Sequence, residues 1–215
     1  MKTILCYGDS NTWGYPAVET FPIPNTQRYG TDVRWGSVMR SVLGDGYTVI
    51  EEGLSGRTTV RDDPVDGEHL NGKRYLLPCL QSHAPLDLVI ILLGLNDLKG
   101  YFGVFAANVA DGADELVDIV QKSGTGPDGI APRVLLISPP PSERLSVFAE
   151  MFAGSEPKSR LLAGLYKQVA AKRDCRFFDA GSLIRSSDRD GIHFDPESHQ
   201  LLGRSLAGVV QEMLN

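Results

Sequence analysis

Leu86-Asp87-Leu88-Val89-Ile90-Ile91-Leu92-Leu93-Gly94-Leu95-Asn96-Asp97 is the stretch whose reading decides the fold. Its first eight residues are almost continuously Val, Ile or Leu. A strand with one face in water alternates apolar and polar residues. A run without alternation is that of a strand covered on both faces, the usual condition of a parallel sheet. The Gly-x-Asn-Asp that follows is turn chemistry and ends the strand.

Four other apolar runs flank this one, at 3–7 and 47–51 before it and at 133–138 and 176–179 after it. Helical patterns lie between them, at 35–43, 72–83, 104–122, 158–173 and 196–214. Strand alternating with helix predicts an α/β three-layer fold around a five-stranded, mostly parallel sheet. The 215 residues suit one such domain, 1–215, with no internal repeat. In open parallel sheets, ligands bind beyond the carboxyl ends of the strands. Four segments converge there: Gly8-Asp9-Ser10, Gly53-Leu54-Ser55-Gly56, Gly94-Leu95-Asn96-Asp97, and Asp190-Gly191-Ile192-His193 before the last helix.

The net charge of −6 argues against a nucleic-acid partner, because neutralising phosphates needs a basic face. Cys6, Cys79 and Cys175 are far apart and form no C-x-x-C, as expected of reduced thiols in a cytoplasmic protein. The chain runs directly into a strand-like segment, so neither a signal peptide nor a membrane span is expected. No pair of histidines has zinc-site spacing, so no metal or other cofactor is expected.

A serine hydroxyl becomes a nucleophile only with a base in reach and an orienting partner for that base. Alone, Ser10 reads as a turn or cap serine. With His193 as base and Asp190 holding its other ring nitrogen, it completes a Ser-His-Asp site. The tetrahedral oxyanion then needs fixed donors. Gly56, with no side chain to block its N–H, and the Asn96 amide are the candidates. Asp97 reads as a cap or turn residue, and Asp9 as a hydrogen-bond partner of the Ser10 loop. His83 reads as a helix C-cap. Arg57 rules out a G-x-S-x-G nucleophile elbow.

Two connections are long. Residues 14–34 are Pro-rich, and 139–157 carry Phe148, Met151 and Phe152 in what reads as a short apolar helix. Loops of this length cover sites or make subunit contacts. Leaving these apolar residues exposed would be costly, so a homo-oligomer is expected, with Phe152, Trp13 and Ile192 near the substrate entrance.

In order and spacing, the four segments resemble the SGNH (GDSL-type) hydrolase superfamily along nearly the whole chain. The resemblance implies a flavodoxin-like fold and an open site, with Ser10 as nucleophile, His193 as base and Asp190 as its partner. It places the oxyanion donors at the Ser10 N–H, the Gly56 N–H and Asn96. Gly8 to Gly14, Glu51 to Thr59, Leu86 to Lys99, Pro139-Pro140-Pro141 and Asp190 to Phe194 are similar to the bacterial arylesterase/acyltransferase branch. That branch implies hydrolysis of short-chain or aryl esters through an acyl-enzyme, with some acyl transfer or perhydrolysis. It also implies oligomers whose loops narrow the site. An apolar residue follows the serine in that branch. Asn11 stands there in this chain and makes the expected acyl pocket more polar. The expected substrate-binding residues are Asn11, Trp13, Phe152 and Ile192, and the expected partner is a small ester. One alternative is a carbohydrate O-deacetylase using the same residues. Another is a non-catalytic flavodoxin-like binding module, against which neither G-x-G-x-x-G nor a P-loop occurs.

Overall fold

Five strands, β1 (Lys2–Gly8), β2 (Tyr47–Gly53), β3 (Leu88–Leu92), β4 (Arg133–Ser138) and β5 (Arg176–Asp179), form one sheet in the order β2-β1-β3-β4-β5. All four pairings are parallel. The computed structural model describes residues 1–20 and 27–215. Its helices are α1 (Ser10–Trp13), α2 (Trp35–Leu43), α3 (Gly72–His83), α4 (Ala106–Lys122), α5 (Ser155–Arg173) and α6 (Pro196–Leu214).

The unbroken apolar run has the predicted cause. Leu88, Ile90 and Leu92 of β3 pack with Trp35 and Met39 of α2 and with Leu202 and Leu206 of α6. Val89 and Ile91 face the other way, onto Leu80 of α3, Leu116 of α4 and Leu162 of α5. With both faces dry, each fully buried Leu or Ile adds roughly 1.5–3 kcal/mol. Gly203 lets α6 approach α2 closely, since a Cβ there would lie 2.5 Å from the Trp35 carbonyl oxygen.

β1 lies between β2 and β3, so the connections from β1 to β2 and from β2 to β3 cover opposite faces. The crevice of such a sheet opens where they part, at the carboxyl ends of β1 and β3. Ser10 directly follows β1 in the chain, and Asn96 lies four residues beyond β3.

Helix boundaries differ from expectation mainly at α5. It begins at Ser155 rather than 158 and takes Pro157 into its first turn, where a missing N–H breaks no intrahelical bond. Residues 139–154 of the long connection form turns and bends, with no helix around Phe148, Met151 and Phe152. Phe152 N–H donates to the Phe148 carbonyl at 2.9 Å within it. Phe148 and Phe152 are buried in their own chain's core, so no subunit contact is needed to cover them. The middle of the Pro-rich 14–34 connection, residues 21–26, lies outside the described residues. No helix among the described residues is long and apolar enough to cross a membrane.

Candidate active site

The first and last motifs meet although they are 183 residues apart in the chain. Asp9 caps α1, its Oδ1 accepting from the Asn11 N–H at 2.9 Å, and this turns Ser10 out at the start of the helix. Gly191, at φ +77°, turns the chain between Asp190 and His193. A Cβ there would lie 1.9 Å from the Glu143 carbonyl oxygen. The result is a line of three groups: His193 Nε2 lies 3.0 Å from Ser10 Oγ, and His193 Nδ1 lies 2.8 Å from Asp190 Oδ2. Asp190 also accepts from the N–H groups of Ile192 (2.9 Å), His193 (2.9 Å) and Val18 (3.0 Å). Burial alone would raise the Asp190 pKa, but the His193 bond and charge and the backbone donors together lower it. The rings of Tyr15 and Phe148 pack against His193, with centroids 4.7 and 5.7 Å away.

Buried ties hold the second and third motifs in the same place. Asp97, expected as a cap or turn residue, is fully buried. It accepts from the Thr59 N–H at 2.9 Å and the Thr59 hydroxyl at 2.5 Å. Burial pushes its pKa up to about 6 against these bonds. Arg57 donates to the carbonyls of Gly8 (2.8 Å) and Glu52 (2.5 Å), tying the ends of β1 and β2, and lies over the Tyr7 ring. Asn96 Nδ2 donates to the Arg57 carbonyl at 3.1 Å and approaches Asp9 Oδ2 at 3.4 Å, which fixes the amide. Burial raises the Asp9 pKa to about 6, against the Asn11 N–H and the His193 and Arg57 charges. Gly56 adopts φ +82°, a conformation that favours glycine. Ser10, Gly56 and Asn96 border one cleft of about 510 Å³. The N–H of Ser10, in the first turn of α1, has no intrahelical acceptor.

Trp13, Phe152 and Ile192 line this cleft. Asn11 does not. Its Nδ2 donates to the Ile192 carbonyl at 3.2 Å and its Oδ1 accepts from the Phe194 N–H at 3.1 Å. It ties the serine helix to the histidine loop. His83 does not cap its helix, where Ala84 holds the C-cap position, and its Nε2 bonds Glu52 at 2.8 Å. Residues that sequence reasoning missed form a polar wall of the cleft: Asp66, His69 and Lys99. Lys99 is buried and pairs with Asp63 at 2.8 Å and Asp66 at 2.9 Å. A lysine three residues after Asn96, with carboxylates in the preceding loop, was the available signal. Phe148, Met151 and Phe152 form the apolar wall opposite in character. Their loop is anchored on both sides of the site. Gly100 N–H donates to the Met151 carbonyl at 2.8 Å, and Glu143 N–H to the Gly191 carbonyl at 3.1 Å.

Residues 6–201 match the GDSL-like lipase/acylhydrolase family. Among solved structures, the chain is similar to an aryl esterase from M. smegmatis, at 46% identity over 100% of both chains and a TM-score of 0.94. It is also similar to a carbohydrate acetylesterase from Sinorhizobium meliloti, at 44% identity over 99% of this chain and 100% of that one, with a TM-score of 0.93. A lipolytic G-D-S-L family protein from Veillonella parvula is 16% identical over 98% of this chain and 99% of its own. Its TM-score of 0.67 marks a likeness of fold alone. No curated sequence matches the chain.

Proposed function

The chain belongs to the GDSL-like lipase/acylhydrolase family, and from that premise we propose that it is a serine esterase cleaving short-chain acyl or aryl esters through an acyl-enzyme on Ser10. The observation that carries this reading is His193 Nε2 at 3.0 Å from Ser10 Oγ, with Asp190 at 2.8 Å from Nδ1.

Neutral His193 takes the Ser10 proton as Oγ attacks the ester carbonyl. The anionic carbonyl oxygen is stabilised by the Ser10 and Gly56 N–H groups and Asn96 Nδ2. The C–O bond to the alcohol breaks, and His193 returns the proton to the departing oxygen. Water then enters, gives a proton to His193 and attacks the acyl carbon. As the Ser10 oxygen leaves, it takes that proton back and the free acid departs. Asp190 holds the ring in the tautomer that presents Nε2 to Ser10 and stabilises the transient imidazolium.

A fluorophosphonate should label the protein at Ser10, and Ser10→Ala should abolish labelling and lower kcat by at least about 10⁴-fold. Labelling at Ser55 or Ser138 would overturn the assignment. A second reading, O-deacetylation of carbohydrates, is favoured by the polar wall of Asp66, His69 and Lys99, which offers partners to a hydroxylated alcohol. Comparing kcat/KM for acetylated sugars with that for aryl acetates decides between them. The apolar wall supports acyl transfer or perhydrolysis as a side activity, tested by product partitioning in added alcohol or peroxide.

The reading extends to one domain over 1–215, supported by similarity to solved structures along the full length. It extends to a homo-oligomer, supported by the exposed apolar Val65, Tyr101 and Phe105, and light scattering showing a monomer would remove it. It also extends to a cytoplasmic location, supported by three free thiols and checked by cell fractionation.

A further inference from the structure

The last turn of α3 carries a cluster that ester chemistry does not use. Cys79 and His83 are four residues apart on this helix, so their side chains share one face. Successive residues of β2 point to opposite sides of the sheet. Glu51 bonds Arg34, which precedes α2, while Glu52 bonds His83 of α3. Among the described residues, one ligand atom each of Glu52, Cys79 and His83 lies within 4.8 Å of the others. From this juxtaposition we propose that Glu52, Cys79 and His83 form a binding site for a zinc-like divalent transition-metal ion, with water as fourth ligand.

The donor set is one sulfur, one imidazole nitrogen and one carboxylate oxygen. Tetrahedral zinc accepts all three, whereas magnesium and calcium take oxygen ligands. His83 Nε2 and Glu52 Oε1 are now 2.8 Å apart. Two ligands of a tetrahedral ion with bonds of about 2.0 Å lie roughly 3.3 Å apart. The pair therefore opens by a few tenths of an ångström as the ion replaces the hydrogen bond. The Glu52 and His83 side chains are 22% and 30% exposed, and Cys79 is fully buried. The ion thus enters from solvent and meets the thiol at the back of the site. Binding releases the Cys79 proton to water, and ion, thiolate and carboxylate sum to neutral. Histidine spacing alone did not reveal this site, because the helical pair is cysteine with histidine and the third ligand lies on a strand. A bound ion joins α3 to β2 one residue before Gly53, which lines the cleft. It acts on stability and takes no part in the ester reaction.

The test is titration of the chelator-treated full-length protein with cobalt(II) alone, followed by zinc. One equivalent of cobalt should produce a thiolate-to-cobalt charge-transfer band in the near ultraviolet and the strong visible bands of four-coordinate cobalt, and zinc should displace it. Cys175→Ser and Ser10→Ala should keep the band, and Cys79→Ser should lose it. His83→Gln should weaken binding at least about ten-fold, the lower end seen even for groups that only orient a ligand. Zinc should raise the Tm of wild type and leave that of Cys79→Ser unchanged. A wild-type protein with no thiolate band, a band that survives Cys79→Ser, or affinity unaltered by His83→Gln would each overturn the site. If Cys79→Ser does not fold, the Glu52→Gln/His83→Gln double variant takes its place, and undiminished binding there overturns the proposal equally.

Discussion

His193 is held by Asp190 on Nδ1, Ser10 on Nε2, and the Tyr15 and Phe148 rings. Asp190 stays ionised because its donors outweigh its burial. Asp190→Asn should therefore lower kcat by roughly 10⁴-fold while circular dichroism shows an intact fold. The Asn96 amide is held by the Arg57 carbonyl, and in the proposed mechanism its second hydrogen, now toward Asp9 Oδ2 at 3.4 Å, would turn to the developing oxyanion. Asn96→Ala should lower kcat by roughly 10²- to 10³-fold with a smaller change in KM. A rise in KM alone would make Asn96 a binding or turn residue. Asn11→Ala removes two buried bonds to the His193 loop and should cost about 1–3 kcal/mol in urea unfolding. Acyl-length preference should hold in that variant. A changed preference would return Asn11 to the substrate wall.

At the scale of elements, the cleft depends on how its two wall segments are fastened. The segment around Asp63–Asp66 hangs on Lys99, whose ammonium meets Asp63 and Asp66, while the Tyr101 hydroxyl donates to Asp63 at 2.7 Å. Burial would raise the Asp63 pKa, but the Asp66 and Val65 N–H groups, Lys99 and Tyr101 bring it down to about 2. Removing one partner of a buried pair leaves the other charge uncompensated, at about 3–5 kcal/mol. Asp63 keeps its other donors, so Lys99→Met should cost about 3 kcal/mol, the lower end of that range. Lys99→Met/Asp63→Asn should recover part of the loss and leave KM raised, because Asp66 and His69 lose their anchor. A double variant that loses as much as the Lys99→Met and Asp63→Asn single variants summed would show that the pair carries no coupling. The apolar segment is fastened differently. The Ser142 hydroxyl meets Ser155 and Ser159, and Phe148 and Phe152 enter the core. Phe152→Asp should therefore destabilise the fold itself, seen as a lowered Tm in any oligomeric state.

For the whole molecule, buried groups set opposing pH dependences. Burial, with the His193 and Arg34 charges, lowers the His199 pKa to about 3. The unfolded chain therefore binds that proton first as pH falls below about 6.5, and stability drops. Asp9 and Asp97, raised to about 6, take protons in the folded state before the unfolded chain does, and stability rises over the same range. These effects oppose one another down to about pH 4. Below that, Asp63 and Asp114, both near 2, and Asp190, also lowered, protonate more readily unfolded, so stability is lost. Arg173 and Lys172 hold Asp114 down. The urea midpoint should be nearly flat from about pH 6 to 4.5 and fall steeply below 4. In His199→Leu it should rise on acidification through the upper range, and a steady decline there would contradict this balance.

The sequence by itself determined the sheet, its parallel sense and the edge that holds the site. Unbroken apolar runs mean two dry faces, and strand–helix alternation carries each motif to the same end. Ser10, Asn96, Asp190 and His193 were legible because each sits where a strand or turn must stop. Only the tertiary structure decided which polar side chains build the walls and which tie the scaffold. Asn11 and Asp97 read as pocket and turn residues, yet both satisfy backbone or hydroxyl groups from segments remote in sequence. Lys99 and Asp63 are ordinary surface residue types, buried here because each supplies the other's counter-charge. Phe148 and Phe152 read as bounding either the substrate site or a subunit contact, since periodicity cannot tell a face covered by another chain from one covered by α5. Local spacing sets which residues share an element's face. What that face meets is set by the packing of elements distant in the chain.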